Sequence, residues 1–219
     1  MIEPVKQKRK YNSGRRSAQA AETRNHVIDT ARVQFVDRGW QGTTIAGIAR
    51  DASVSSETIY SIFRNKEFIL RAVIEKAVRR DRPETPLLDQ PGPTAVANAS
   101  SQAEQIALFA KDISDILASV AELVAVTRAA AEADPALASL YTQLHDSRRR
   151  NLSFAVGAMM ANGPLRNDIN EAEATACLWR LASPELFVLM TKVEGLSTPA
   201  YTRWLEETLR TILLRPADL

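Results

Sequence analysis

A single cysteine, Cys177, stands in 219 residues, and it has no partner of its own kind. That excludes an intramolecular disulfide framework and any multi-cysteine metal site. Cys177 falls in an apolar stretch of helical pattern, where it reads as a buried structural thiol; a redox sensor is the alternative. Glycine is also scarce, at 8 residues, and this favours helices over a sheet built with many tight turns. Only two histidines occur, His26 and His145, too far apart for a two-histidine zinc helix. A phosphate-cradling glycine loop and a nucleophile elbow are both absent, so an enzyme is the weakest of the function classes, with no catalytic residue, metal or cofactor expected. No apolar run approaches the ~18 residues of a membrane span, and the basic N-terminal residues are not followed by a hydrophobic signal core. The expectation is a cytoplasmic protein with no membrane partner.

What the chain does have is a divided charge. The formal net charge is only +2, yet residues 1–82 hold 17 Lys+Arg against 9 Asp+Glu, whereas residues 83–219 hold 11 against 17. A first third at +8 on a remainder at −6 points to a polyanion met by the first third alone; a solvated charged face is the plainer alternative.

Hydrophobic periodicity is helical throughout, and no stretch alternates long enough for a strand. The fold class expected is all-α. Residues 1–16, with Lys6, Lys8, Arg9, Lys10, Arg15 and Arg16, read as a disordered basic arm. A domain over 17–82 opens with a helix at about 17–38, on which Val27, Ile28, Ala31 and Phe35 form one stripe, and Gly39 stops it. Short helices at about 44–52 and 55–63 follow, then one running to about Arg80 that Asn65 can cap. Four prolines at 83, 86, 91 and 93 make 83–100 a linker. The second domain, 101–219, reads as helices only: a stripe from Ile106 to Val120, a separate helix at about 121–133, then about 135–161, 170–194 and 198–214.

The informative segment is Gly39–Lys66, GWQGTTIAGIARDASVSSETIYSIFRNK. Two helices of about nine residues, joined by a turn of three or four, have helix-turn-helix geometry. Small Ala49 lets the helices approach, while Val54, Ile59 and Phe63 lock the second onto the first. Ser55, Ser56, Glu57, Thr58, Tyr60 and Ser61 are left near its exposed face or N-terminal end, the short hydrogen-bonding groups that reach base edges and phosphates in a major groove. The run resembles the TetR family of bacterial regulators at Gly39-Trp40, Thr43-Thr44, Ile48-Ala49, Val54-Ser55, Tyr60, Phe63 and Lys66. It departs from the family at Ser53, where a glycine is usual, and at Ile62, where a polar aromatic often touches phosphate.

The resemblance implies a transcriptional regulator, a repressor by default, that binds double-stranded DNA. Thr44 would bond a phosphate, Ser55, Ser56, Thr58 and Ser61 would lie in or beside the major groove, Tyr60 would press on the backbone, and Lys66 would bind phosphate as a point charge. Arg15 and Arg16 of the arm could enter the adjacent minor groove or give only nonspecific attraction. The resemblance further implies a homodimer on a near-palindromic operator, with Leu178, Leu181, Phe187, Trp204, Leu205 and Leu209 at the interface, and a small-molecule effector in a cavity for which Phe109, Tyr141, Phe154, Met159 and Trp179 are the bulky candidates. His145, Asp146 and Arg148-Arg149-Arg150 form either a polar mouth to that cavity or a solvated helix face. An activator of the same fold, or a helical adaptor using the basic arm, are the alternative functions.

Overall fold

A computed structural model describes residues 13–80, 82, 84–166 and 169–215. Among them every regular element is helical. The first helix, α1 (Ser13–Gly42), begins inside the segment expected to be an arm; residues 1–12 lie outside the described residues, as does the side chain of Arg15. Gly39 interrupts α1 as its position suggests: its φ of 66° is one that a side chain resists, and a single turn resumes beyond it. Val27, Ile28, Ala31 and Phe35 are all buried, as their spacing predicts.

The next three helices are short and individually capped. Thr44 caps α2 (Ile45–Asp51) by accepting from the Gly47 amide, Ser55 caps α3 (Ser56–Phe63) through the Thr58 amide, and Asn65 caps α4 (Lys66–Arg79) through the Phe68 amide. Each oxygen satisfies an amide that the helix start would leave unpaired.

The stretch expected as a linker is structured. After a 3-10 turn at Leu87–Asp89, α5 (Pro91–Asn98) forms with Pro91 in its first turn, where the missing amide costs nothing. Gln90 is buried there, and its side-chain amide lies within hydrogen-bond distance of the carbonyls of Arg79, Arg82 and Thr85, tying the crossing segment to the end of α4. Gly92 lies against the Asp112 carboxylate, which would have to shift to admit a Cβ there.

The two helices expected over 106–133 are one: α6 (Gln102–Ala131) runs 30 residues without a break, and no proline or glycine in it supplies a reason for one. Conversely, the helix expected over 170–194 is divided. A capping box formed by Asn170 and Glu173 starts α8 (Glu171–Leu181); it stops at Ser183-Pro184, where the serine caps and the proline opens α9 (Pro184–Val188), followed by a π turn at Leu189–Val193. Between α6 and α8 lies α7 (Pro135–Ala161), and α10 (Thr198–Leu213) closes the chain's described part. The core is continuous from the short-helix domain into the larger one, with α6 packed on α1, α4, α5, α7, α9 and α10. None of the described helices is long and apolar enough to cross a membrane.

Candidate functional site

The α2–α3 pair has the geometry that the sequence suggests. Ile48, Ala49, Ile59 and Phe63 are buried between the helices and α1, while Val54 is half-buried and its amide donates to the Ala49 carbonyl at 2.9 Å to close the turn. Ser53 holds a φ of 53° in that turn, the left-handed position usually given to glycine.

The outward side of α3 is polar. Ser55, Tyr60 and Ser61 are exposed, Tyr60 with 54% of its surface open, and Ser56 and Thr58 are half-buried beside them. The hydroxyls are ordered by local bonds: Ser55 Oγ lies 3.1 Å from Thr58 Oγ1, and Ser61 Oγ donates to the Thr58 carbonyl at 2.8 Å. Glu57 shares the same end, its carboxyl held below the usual range by its own backbone amide and by the Ser55 hydroxyl. Thr44 is exposed at the start of α2. Sequence reasoning passed over two exposed cations here, Arg24, whose guanidinium covers the Phe63 ring at 5.2 Å, and Arg64 directly after α3. Helical periodicity gives no signal for either, since both are defined by what lies across from them.

Lys66 differs from its expected role. Its ammonium donates to the Trp40 carbonyl at 2.7 Å and the Thr43 carbonyl at 2.9 Å, and sits 3.9 Å from the Trp40 ring centre. Burial pushes it below its ordinary value, with Asp134 pulling partly back. The side chain is therefore a half-buried strut from α4 to the α1–α2 loop that holds Thr44, rather than a free point charge.

Behind this surface a cavity of about 520 Å³ opens between α4, the 87–93 segment, α5, α6 and α7. Phe109 and Phe154 line it; Tyr141, Met159 and Trp179 do not. Met159 is plain core. Tyr141 and Trp179 instead belong to a polar cluster that joins α7 to α8 and α9, whose members His145 and Arg148 do reach the cavity wall. Tyr141 donates to Glu185 Oε1 at 2.7 Å, and His145 Nε2 lies 3.3 Å from the same oxygen. Arg148 donates to the carbonyls of Trp179 and Ala182, the free end of α8, and stacks on the Trp179 ring at 5.2 Å. Burial would raise the Glu185 carboxyl, but the His145 imidazole beside it and the bond from Tyr141 prevail and hold it at about 2. Burial of the Tyr141 phenol, with the Glu185 contact, pushes it up to about 12. Asp146 and Arg150 of this run of α7 also line the cavity, while Arg149 does not, and all three are exposed.

Of the expected interface residues, Leu178, Phe187, Leu205 and Leu209 are buried within the subunit. The reason is periodic: Tyr201, Leu205, Leu209 and Leu213 form the inward stripe of α10, which leaves Trp204 and Ile212 on the outward side. Leu181 and Trp204 remain half-buried, whereas Leu189 and Val193 are 46% and 73% exposed.

Residues 27–73 match the family model described as bacterial regulatory proteins, tetR family. No curated protein matches the chain. Solved structures share its fold over nearly the whole length. A TetR-family transcriptional regulator from Syntrophomonas wolfei superposes with a TM-score of 0.71 at 14% identity, covering 87% of this chain and 94% of that one. NalD, the secondary repressor of the MexAB-OprM multidrug efflux pump in Pseudomonas aeruginosa, gives 0.66 at 14%, covering 90% and 98%. A transcriptional regulator from Saccharomonospora viridis, solved in complex with choline, gives 0.65 at 17%, covering 89% and 99%. Identities this low speak for the fold alone.

Proposed function

We propose, from the premise that residues 27–73 are the DNA-binding domain of a TetR-family transcriptional regulator, that this chain is a repressor released from its operator by a small molecule. The observation that carries the reading is the outward tip of α3. Ser55, Tyr60 and Ser61 are exposed, with Ser56 and Thr58 half-buried beside them, while Ile59 and Phe63 anchor the other side of the same helix in the core. A rigid polar helix end of this kind fits a major groove, where Ser56, Thr58 and Ser61 would read base edges and Thr44, Ser55 and Tyr60 would position the backbone. Arg24 and Arg64 add positive charge beside it, and Arg15 and Arg16 would extend the contact.

A homodimer would present two such tips to one side of the duplex, about one helical turn or a multiple apart, and the operator is then a near-palindrome. Leu181, Leu189, Val193, Trp204 and Ile212 are the apolar surface for that pairing. The cavity would hold the effector. Since α4 lines the cavity and carries the Lys66 strut, a ligand that moves α4 also moves the loop bearing Thr44. A coupling in the usual range changes operator affinity by roughly 5–150-fold, and DNA weakens ligand binding by the same factor. The protein would act in the cytoplasm, where its operator is.

The test is binding of the full chain to duplexes from around its own gene, which should be about nanomolar and fall steeply with salt. Tyr60→Ala should weaken all duplexes alike, whereas Ser56→Ala and Thr58→Ala should change the preference among them. Equal affinity of all three variants and the parent for every duplex would refute the assignment.

A further inference from the structure

We propose that Arg64 is a DNA-phosphate contact held by a strained turn: the chain carries an unfavourable backbone at the end of α3 so that a guanidinium, rather than a glycine, stands beside the α3 tip. The inference rests on the reading of α3 as the DNA-recognition helix and adds to it a residue and the conformational cost of placing it.

Arg64 alone separates α3 from the Asn65 cap of α4, and the residues on either side are anchored. Phe63 is buried in the core, Asn65 accepts from the Phe68 amide at 3.0 Å, and Lys66 reaches the carbonyls of Trp40 and Thr43. Between these anchors the chain reverses in a three-residue γ-turn. The Asn65 amide donates to the Phe63 carbonyl at 2.6 Å, with Arg64 at the centre at φ 61° and ψ −55°. This is the rare, strained form of that turn. A Cβ resists such a φ, whereas glycine adopts it freely. A side chain kept at a position of this kind points to a use for it.

Arg80 is the internal comparison. It ends α4 at φ 53°, and its guanidinium meets Asp112 and lies 3.9 Å from Asp115. Arg64 shares the positive φ, but its guanidinium meets no carboxylate among the described residues and lies 6.0 Å from the centre of the exposed Phe68 ring. The acids around the turn are engaged elsewhere. Glu67 lies 3.8 Å from Arg71, and Asp134 accepts from the Ala136 and Leu137 amides at the start of α7. Glu57 stands at the opposite end of α3, ~10 Å away along the helix axis.

The missing anion has a place on the proposed DNA side. The Arg64 amide donates to the Tyr60 carbonyl at 3.1 Å, so Arg64 follows exposed Tyr60 by about one helical turn. If Tyr60 presses on the DNA backbone, a phosphate beside that contact supplies the charge that Arg64 lacks within the chain, and a planar guanidinium can grip it with two bonds. Lys66, the neighbouring cation, is occupied by its two carbonyls.

The experiment compares the full-length parent with Arg64→Gly, Arg64→Ala and Arg64→Lys, by thermal melts and by anisotropy on two duplexes of equal length, one from around its own gene and one unrelated. Arg64→Gly should melt about 2–4 °C above the parent, because the strain is relieved. It should nevertheless bind both duplexes about five- to tenfold more weakly in about 0.1 M salt, with a log–log salt slope shallower by about 0.9. Arg64→Ala should melt with the parent and bind like the glycine variant, and Arg64→Lys should regain the parental slope. A merely structural role would move melting and affinity in the same direction. Parental affinity and slope in both Arg64→Gly and Arg64→Ala would overturn the contact, and Arg64→Gly melting at or below the parent would overturn the strain. A parent that binds neither duplex would sink the regulator reading and this contact together, whereas a parent that binds while the variants match it would sink the contact alone.

Discussion

Replacing Lys66 by alanine separates a strut from a DNA contact. In the folded protein the ammonium satisfies the carbonyls of Trp40 and Thr43 and lies on the Trp40 ring. A hydrogen bond from a charged donor contributes roughly 1.5–3 kcal/mol, and a cation over a ring roughly 0.5–1 kcal/mol where solvent reaches it. The site is only half-buried and the charge carries its own desolvation cost, so the net loss is about 2–3 kcal/mol. For a chain of this size that is a fall in melting temperature of about 4–10 °C, to be read by calorimetry or circular dichroism. Affinity for duplex should fall too, because the loop carrying Thr44 loses its support, but the dependence of log affinity on log salt should keep its slope. Tyr60→Ala is the control, since an exposed side chain can weaken DNA binding without moving the melt. If Lys66→Ala melts with the parent and its salt slope drops by about 0.9, the ammonium is a phosphate ligand and the strut is refuted.

Three other outcomes follow from particular residues. Ser53→Gly should stabilise the protein by up to about 1 kcal/mol, since φ is 53° there and only glycine adopts it freely; chemical denaturation measures this. Glu185 has a folded value of about 2, below its ordinary 4.5, so it contributes stability above the ordinary value that is lost as pH falls from about 4.5 toward 2. Discounted for its partial exposure, that amounts to about 1–2 kcal/mol, and Glu185→Gln should show a correspondingly shallower loss of stability over the same window in acid-titrated melts. Val193→Asp combined with Trp204→Glu should give a folded monomer by sedimentation at concentrations where the parent is a dimer; a double variant that still pairs would move the interface elsewhere on the surface.

Much of the fold was legible because the signals were local. The stripe of Val27, Ile28, Ala31 and Phe35, the cap at Asn65, and the Asp134-Pro135 start of α7 each depend on residues a few positions apart. What misled were features decided by distant partners. The prolines of 83–100 look like a linker until the Gln90 bonds and the packing of α5 on α6 are seen to hold that segment against the rest. Lys66 looks like a free cation because nothing in its neighbourhood along the chain reveals the two carbonyls it reaches across 23 and 26 residues. Leu205 and Leu209 look like an interface because an apolar stripe does not say whether it faces its own core or another copy. At the cavity, Phe109 and Phe154 could be guessed from size, whereas the Tyr141–Glu185–His145 arrangement needed the fold to bring residues 44 positions apart together.

The length of α6 bears on how relatives of this protein could exchange parts. Its 30 residues form one uninterrupted spar on which α1 and α4 rest from one side and the larger domain from the others. Arg32 of α1 even hydrogen-bonds the Ser119 carbonyl midway along it, at 2.7 Å. Grafting residues 13–80 onto a foreign body would therefore expose apolar surface on both pieces unless the matching stretch of the spar travelled with the graft. Substitutions along such a chain are tolerated more readily at the α3 tip and around the cavity than at the seam where α1 and α4 pack on α6.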